Sequence, residues 1–492
     1  MERKEASGRP QRSGGTARWL IAVGVPVLVA VAGLVGLLAW FLARPEVGQI
    51  APREPSPSTA AATPAPPASG PAQAAPAAVE RVAQAPAAAA PAGGVPTVKG
   101  SWPRFRGASL DNISTDPTPL ARSWPPEGPP KLWTLPMGEG YAAPAIVNSR
   151  AYVLDYDKAA RADRLRCLAL ATGQELWSQS YAADIKSNHG MSRTVPAVAN
   201  NRVVTLGPLL QVMCCDATTG QVAWQLNLVS QFGATIPDWY AGQCPLIDGN
   251  RVILAPGGTA LMVAVDLASG RVVWQTPNPS GWKMTHGSVM PITFAGQREY
   301  VYCASGGVVG VSAKDGSLLW QTPDWTVSTA NIPTPVPVGE GRLFLSGGYN
   351  AGSMMLGLKS ADGKITPETV FRLKANVFGS QQQTPIFYQG YLYGVAPNQQ
   401  LTCLDPEGNV KWSSGSTRRF GIGPYLIANG LMFVLNDTGG LTLVDPSPSG
   451  YKELARAKVL SGSEAWGPLA IAGGLLVARD LTSMVCLDVR AR

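Results

Sequence analysis

The amino-acid sequence predicts an all-β fold, an eight-bladed β-propeller of four-stranded antiparallel blades, on three observations. A proline set in a short apolar run recurs at Pro144, Pro196, Pro245, Pro291, Pro335, Pro385, Pro424 and Pro468. Each run is followed by a second apolar segment, such as Arg202-Val203-Val204 or Leu392-Tyr393-Gly394-Val395. A third segment then ends near an acidic residue, a Gly turn and, in the best copies, a tryptophan, as in Asp216 to Gly220 leading to Trp224. A period of roughly 40–50 residues with several short strands per unit is the mark of propeller blades.

Five segments follow in order. Residues 1–18 form a basic tail, in which Arg3, Lys4, Arg9, Arg12 and Arg18 outnumber Glu2 and Glu5. Residues 19–43 are an uninterrupted apolar stretch, at about 25 residues long enough to cross a hydrocarbon core as one transmembrane helix. Trp19 and Trp40 stand near its ends, where amphipathic rings favour the interface. A cleaved signal peptide is the competing reading. Its apolar core would be shorter, and Phe41 sits badly two positions before the small-residue candidate Ala43. The flanking basic residues put Met1 in the cytoplasm and the rest outside, so the expected location is the cytoplasmic (inner) membrane with a periplasmic C-terminal domain. Residues 44–100 are an Ala/Pro-rich linker, expected to be disordered because it lacks the apolar side chains of a core. Residues 101–130 are a lead-in to the propeller at 131–492. The net charge of +8 is scattered beyond the tail, with no basic run past Arg418-Arg419, so no nucleic-acid partner is expected.

Within the propeller each unit supplies an inner, a middle and a third strand, then an outer strand carrying the Trp. The last unit stops at Asp488-Val489-Arg490, and Lys131-Leu132-Trp133-Thr134-Leu135 has the character of its missing outer strand. Closing the ring with both chain ends removes an exposed sheet edge. The tryptophans are expected to wedge between neighbouring blades. Units five and seven carry Phe371 and a Tyr451-to-Leu454 region there instead. Cys167, Cys214, Cys403 and Cys486 share one repeat position with Ala264, Gly310, Gly357 and Leu443, which makes it a small apolar packing slot.

The pattern Asp-x-x-Thr-Gly-x-x-x-Trp at Asp216 to Trp224, with its relative at Asp266 to Trp274, resembles the tryptophan-docking motif of the pyrroloquinoline-quinone-like repeat family. Trp102-Pro103-Arg104-Phe105-Arg106-Gly107 looks like the lead-in of bacterial membrane-associated members. The resemblance covers roughly residues 101–492 and implies the fold. For function it implies several things at once, because the family holds quinoprotein alcohol dehydrogenases and a lipoprotein scaffold of outer-membrane β-barrel assembly. A quinoprotein would use pyrroloquinoline quinone (PQQ) and calcium, with basic side chains such as Arg193 or Arg419 on the quinone and Asp238 or Glu464 as base. The adjacent Cys214-Cys215 is similar to the cysteine pair that covers the quinone, yet it occupies an ordinary strand position, where neighbours point to opposite faces.

The loops entering the proline runs should share one face, opposite the Thr-Gly turns, and they carry the candidate ligand-binding residues. These are Tyr141, His189, Arg193, Trp239, Tyr240, Gln243, His286, Asn331, Gln382, Arg419, Glu464 and Trp466. Mixed donors and aromatic faces around a cavity suit a small polar ligand, while a wet channel mouth would be polar without any ligand. No His-x-x-x-His or Cys-x-x-Cys spacing joins His189 and His286, so no metal ligand is assigned, and no catalytic residue is identified. The preferred function is a membrane-anchored binding or scaffold module for a protein partner or small polar ligand. The alternatives are the quinoprotein dehydrogenase and the outer-membrane assembly scaffold.

Overall fold

The computed structural model describes residues 94–187 and 190–491. The expected transmembrane helix and most of the expected linker lie outside these residues. Among the described residues no helix is long and apolar enough to cross a membrane.

Eight sheets are present, seven of four strands and one with a fifth, short strand added. Blade 1 is typical: Ala145–Val147, Arg150–Asp157, Ala162–Ala169 and Glu175–Ala182, each antiparallel to the next. Seven blades start just after their proline and blade 4 one residue before Pro291, where a missing N–H costs nothing at a strand's first residues. Blades 2 to 7 repeat the order, and their first strands start at Ala197, Leu246, Met290, Val336, Ile386 and Tyr425. Blade 8 combines Ala470–Ala472, Leu475–Arg479 and Ser483–Asp488 with Lys131–Pro136, and Trp133 lies opposite Cys486. The ring closes as the sequence implies. First strands of neighbouring blades meet around the axis.

The blade seams follow from the repeat. The third-strand slot faces the aromatic across the sheet: Cys167 pairs with Trp177, Cys214 with Trp224, Ala264 with Trp274, Gly310 with Trp320 and Cys403 with Trp412. All seven cysteines are buried free thiols. Cys214 and Cys215 project into two different hydrophobic clusters, one toward each neighbouring seam. Trp133, Trp177, Trp224, Trp274 and Phe371 each cover the turn glycine of the following blade, whereas Trp320 and Trp412 do not. A Cβ on Gly173 would lie 2.9 Å from Trp133, on Gly220 2.6 Å from Trp177 and on Gly408 2.8 Å from Phe371. Blade 5 departs from the expected register, because Met355, not Gly357, faces Phe371. Its outer hairpin, Gly352–Ala361 with Lys364–Leu373, is longer than in the other blades and shifts the turn outward.

Near the axis a second set of links runs from blade to blade. Val195 N–H donates to Cys244 Sγ (3.2 Å), Cys244 N–H to Ser288 Oγ (3.0 Å), Ser288 N–H to Thr334 Oγ1 (3.4 Å) and Thr334 N–H to Thr384 Oγ1 (3.0 Å). Buried amides just ahead of the first strands of blades 2 to 5 are thereby satisfied by the neighbouring blade.

The lead-in does more than precede the ring. First strands expose unpaired backbone groups toward the axis, and residues 98–118 take them up. Trp102 exchanges two 2.7 Å bonds with Ile146 of blade 1. Val198 N–H of blade 2 donates to Pro103 O (2.8 Å), and Arg104 donates to Ile247 O of blade 3 (2.7 Å). Ile427 N–H of blade 7 donates to Asn112 O (2.9 Å), beside the parallel strand Ile113–Ser114. Arg106, fully buried, caps Leu110 O, Thr384 O and Pro385 O, and burial lowers its pKa to about 10. The lead-in therefore fills part of the channel and ties together blades that are not neighbours.

Candidate functional site

The entry loops, which run from each fourth strand to the next first strand, bring part of the candidate set into one arc. Tyr141 is its centre. Its backbone N–H and that of Ala142 both donate to Ser192 O (2.7 and 2.8 Å), joining the blade 1 and blade 2 entries. Its ring packs at a tilt against Trp466 at 5.3 Å, with the Arg193 guanidinium over it at 5.3 Å. Its hydroxyl donates to Glu464 (2.5 Å), and burial together with that carboxylate pushes the phenol far above its ordinary range. Trp466 in turn donates to Asp437 (2.9 Å), which also accepts Ile422 N–H (2.8 Å).

Arg193 carries the arc to blade 3 by donating to Trp239 O (2.5 Å), while its Nη2 reaches Gly190 O (2.8 Å). Burial lowers its pKa to about 10, which leaves it charged at neutral pH. Trp239 lies 6.4 Å from His286, whose Nε2 meets Asp238 O at 2.9 Å. Burial first, then the Arg193 charge, depress His286 to about 4, so the imidazole is neutral. Tyr240 uses its hydroxyl on Lys186 N–H and O (2.8 and 3.0 Å). Gly190, at φ 73°, sits where a Cβ would be 2.7 Å from the Tyr141 ring, so only glycine allows this packing.

The backbone is strained along this arc. Trp239 (φ 59°), Tyr240 (φ 69°) and Glu464 (φ 54°) all adopt the left-handed conformation that side chains of this size avoid. Such strain persists only where surrounding contacts enforce it, and it concentrates at functional sites.

Other candidates fall elsewhere. Gln243 is buried and structural, its amide exchanging bonds with Ala255 O (3.3 Å) and Ala255 N–H (2.9 Å) and reaching Tyr302. Asn331 is buried in the blade 5 entry, with both amide atoms unpaired. Gln382 is partly buried, and its neighbour Gln383 does the bonding, to Gly423 O (2.9 Å). Arg419 is exposed and joins Gln400 through its backbone. His189 lies outside the described residues. Sequence reasoning missed Asp437 and Arg479. Arg479 is a fully buried cation beneath the arc that donates to Ala142 O and Gly138 O, both at 3.0 Å. A lone charge ending the apolar strand Leu475–Arg479 was the available signal.

These residues do not fit a quinone and calcium. The Arg193 donors are committed to carbonyls, Cys214 and Cys215 face opposite seams, and the lead-in occupies part of the channel. Among the described residues no group of three or more His, Cys, Asp or Glu could hold a metal ion.

An eight-bladed ring with tryptophan-on-glycine seams defines the class of PQQ-like repeat propellers. The family model described as outer membrane protein assembly factor BamB matches residues 161–414, and the chain belongs to that family. It is similar to the assembly factor BamB of Moranella endobia (strain PCIT), 23% identical over 333 residues, which span 64% of this chain and 69% of that protein. BamB of Yersinia pestis is 24% identical over 322 residues, 53% of this chain and 78% of that one. Among solved structures, BamB from Moraxella catarrhalis superposes with a TM-score of 0.50 at 14% identity, covering 73% of this chain and 99% of that chain. A europium-containing methanol dehydrogenase reaches 0.54 at 13% identity, over 79% and 89%. At these identities the structures speak for the fold alone.

Proposed function

We propose that this chain is a membrane-anchored, extracytoplasmic propeller scaffold that holds a protein partner on its entry-loop face, in the assembly of outer-membrane proteins as its relatives' name states. The observation that carries this reading is the strained, pre-packed arc of Tyr141, Arg193, Trp239, His286, Glu464 and Trp466. It is rich in Trp, Tyr and Arg, the residues that dominate binding hot spots, and their rotamers are held before any partner arrives. Residues 19–43 would supply the anchor, and residues 44–100 the reach.

The test is photocrosslinking in intact cells from a photoreactive residue placed at Trp466, alongside Trp239→Ala and Trp466→Ala. A discrete protein adduct is expected, weakened about tenfold by the Trp239→Ala change. Absence of any protein adduct would remove the scaffold reading. The quinoprotein alternative is tested by incubating the full chain with PQQ and calcium. No cofactor absorbance is expected, and its appearance with turnover of an alcohol would replace the proposal.

A further inference from the structure

The opposite face of the ring carries a second feature, unrelated to the arc. Second strands of blades 1, 2, 3 and 5 open on Arg150, Arg202, Arg251 and Arg342, and blade 4 places Arg298 one position inside its strand. Blades 6 to 8 have Tyr391, Leu431 and Leu475 there. The arginines are not used alike. Arg202 pairs with Asp216 of its own blade (3.4 Å), and Arg342 approaches Glu340 and Glu407 only at 4.0 and 3.9 Å. Arg251 turns away from Asp266 to donate to Ala313 O (2.7 Å) and Lys314 O (3.2 Å) of blade 4. Among the described residues it makes no ion pair.

At that point a cavity of about 650 Å³ opens between blades 3 and 4, lined by Asp248, Arg251, Gln297, Arg298, Tyr300 and Lys314. Three cations thus face one carboxylate. That carboxylate shows what the lining recognises, because Asp248 accepts two parallel bonds from Arg298 (both 2.9 Å) and a third from Tyr300 (2.7 Å). The other acids near it are occupied: Asp315 by Ser317 N–H (3.1 Å) and Oγ (2.8 Å), Asp266 by Ser269 N–H (2.9 Å) and Oγ (2.7 Å), and Glu299 by Trp320 inside blade 4 (2.6 Å). Arg251 and Lys314 are left as the lining cations that, among the described residues, make no ion pair.

We propose that this cavity is a docking site for an acidic peptide segment of a partner protein, with glutamate or aspartate carboxylates placed on Arg251 and Lys314. A planar guanidinium matches a carboxylate, and the adjacent ammonium adds a point charge without demanding geometry. The volume is far larger than a lone oxyanion needs and falls within the range of ligand-sized sites. The biological occupant rests on the scaffold reading, whereas the chemistry of the cavity does not.

The experiment measures fluorescence anisotropy of labelled hexaglutamate on the full chain in detergent, with labelled hexaglutamine as control. Hexaglutamate is expected to bind, and to bind about tenfold more weakly to the Arg251→Glu/Lys314→Glu variant, with the difference shrinking as salt rises. Arg193→Ala on the other face is expected to leave it unchanged, which separates this site from the entry-loop arc. Should the double variant lose its thermal transition, Arg251→Gln replaces it, with a smaller loss expected. Equal affinity of the folded variants, equal binding of hexaglutamine, or displacement by equimolar inorganic phosphate would each overturn the proposal. A missing crosslink at Trp466 with a positive anisotropy result would sink the scaffold reading and leave the site standing.

Discussion

The seam between blades 1 and 2 and the seam between blades 4 and 5 are built from the same repeat by different means. At the first, Trp177 lies on Gly220, whose φ of 76° no larger residue would adopt comfortably. At the second, Trp320 occupies the same slot opposite Gly310, but the long hairpin of blade 5 carries its turn glycine, Gly363, away from any neighbour. The indole N–H then donates to Glu299 (2.6 Å), a carboxyl buried inside blade 4 with its second oxygen unpaired. Phe294 packs close to Gly341, and Arg372 donates to Asp324 O across the seam. One seam is closed by shape; at the other the indole turns back to an acid of its own blade, and Phe294 and Arg372 make the contacts across. Where the hairpin is longer, the indole loses its glycine and takes a titratable partner within its own blade.

The largest expected effect tests the shape lock. Gly220 and Gly363 have φ of 76° and 73°, so alanine should suffer the same backbone strain at both. Only at Gly220 would the new Cβ meet an indole, at 2.6 Å. Gly220→Ala should therefore cost about 3 kcal/mol and Gly363→Ala about 1 kcal/mol in urea unfolding. Similar losses would mean that the glycine is kept for its backbone alone.

The next effect tests the buried acid beside the second seam. Burial raises Glu299 to about 7, against the opposing pull of the Trp320 bond. A carboxyl whose folded pKa lies above its unfolded value near 4.5 binds its proton more tightly in the native state. Its stabilising contribution is complete below pH 4.5, falls as pH rises toward 7, and is absent above. Glu299→Gln keeps an acceptor for the indole and removes the charge. The variant should be more stable than the parent by about 2 kcal/mol at pH 8 and no more stable at pH 4. Unfolding midpoints that track each other between pH 4 and 8 would assign the seam's strength to Phe294 and the hairpin.

Much of this architecture was legible, and the reasons are local. Proline marks each first strand because only a strand's start tolerates a missing donor. Trp177, Trp224 and Trp274 were readable as seam residues because they recur at one offset from a turn glycine, an offset Phe371 does not share. The small third-strand slot was readable because Cys167, Cys214 and Ala264 lie opposite an indole and must leave room for it. What escaped was set by the register of one strand or by long-range threading. Gly357 gave way to Met355 because a longer hairpin has no sequence counter of its own. The axial course of residues 98–118 carries no periodicity, since it satisfies backbone groups that every sequence possesses. At the entry-loop face, residue type nominated Tyr141, Arg193, Trp239, His286, Glu464 and Trp466 as candidates, but not that they lie along one arc. Residue type could not tell them from Gln243, a polar side chain that is spent on Ala255 of its own blade and on Tyr302.

The smallest effect asks whether inner and outer latches act independently. Ser288 N–H donates to Thr334 Oγ1 across the 4/5 seam (3.4 Å), and Cys244 N–H to Ser288 Oγ across the 3/4 seam (3.0 Å). The 3/4 seam also has its outer dock, Trp274 on Gly316, whereas the 4/5 seam does not. Thr334→Val and Ser288→Ala each strand one buried amide, at about 1 kcal/mol apiece if the latches are independent. If instead a seam without its dock leans on its axial link, Thr334→Val should cost clearly more, and combining it with Glu299→Gln should be non-additive in a double-mutant cycle. Additive losses of equal size would show that a propeller seam is a sum of separate contacts. A coupling confined to the 4/5 pair would mark that seam as the place where the ring opens first.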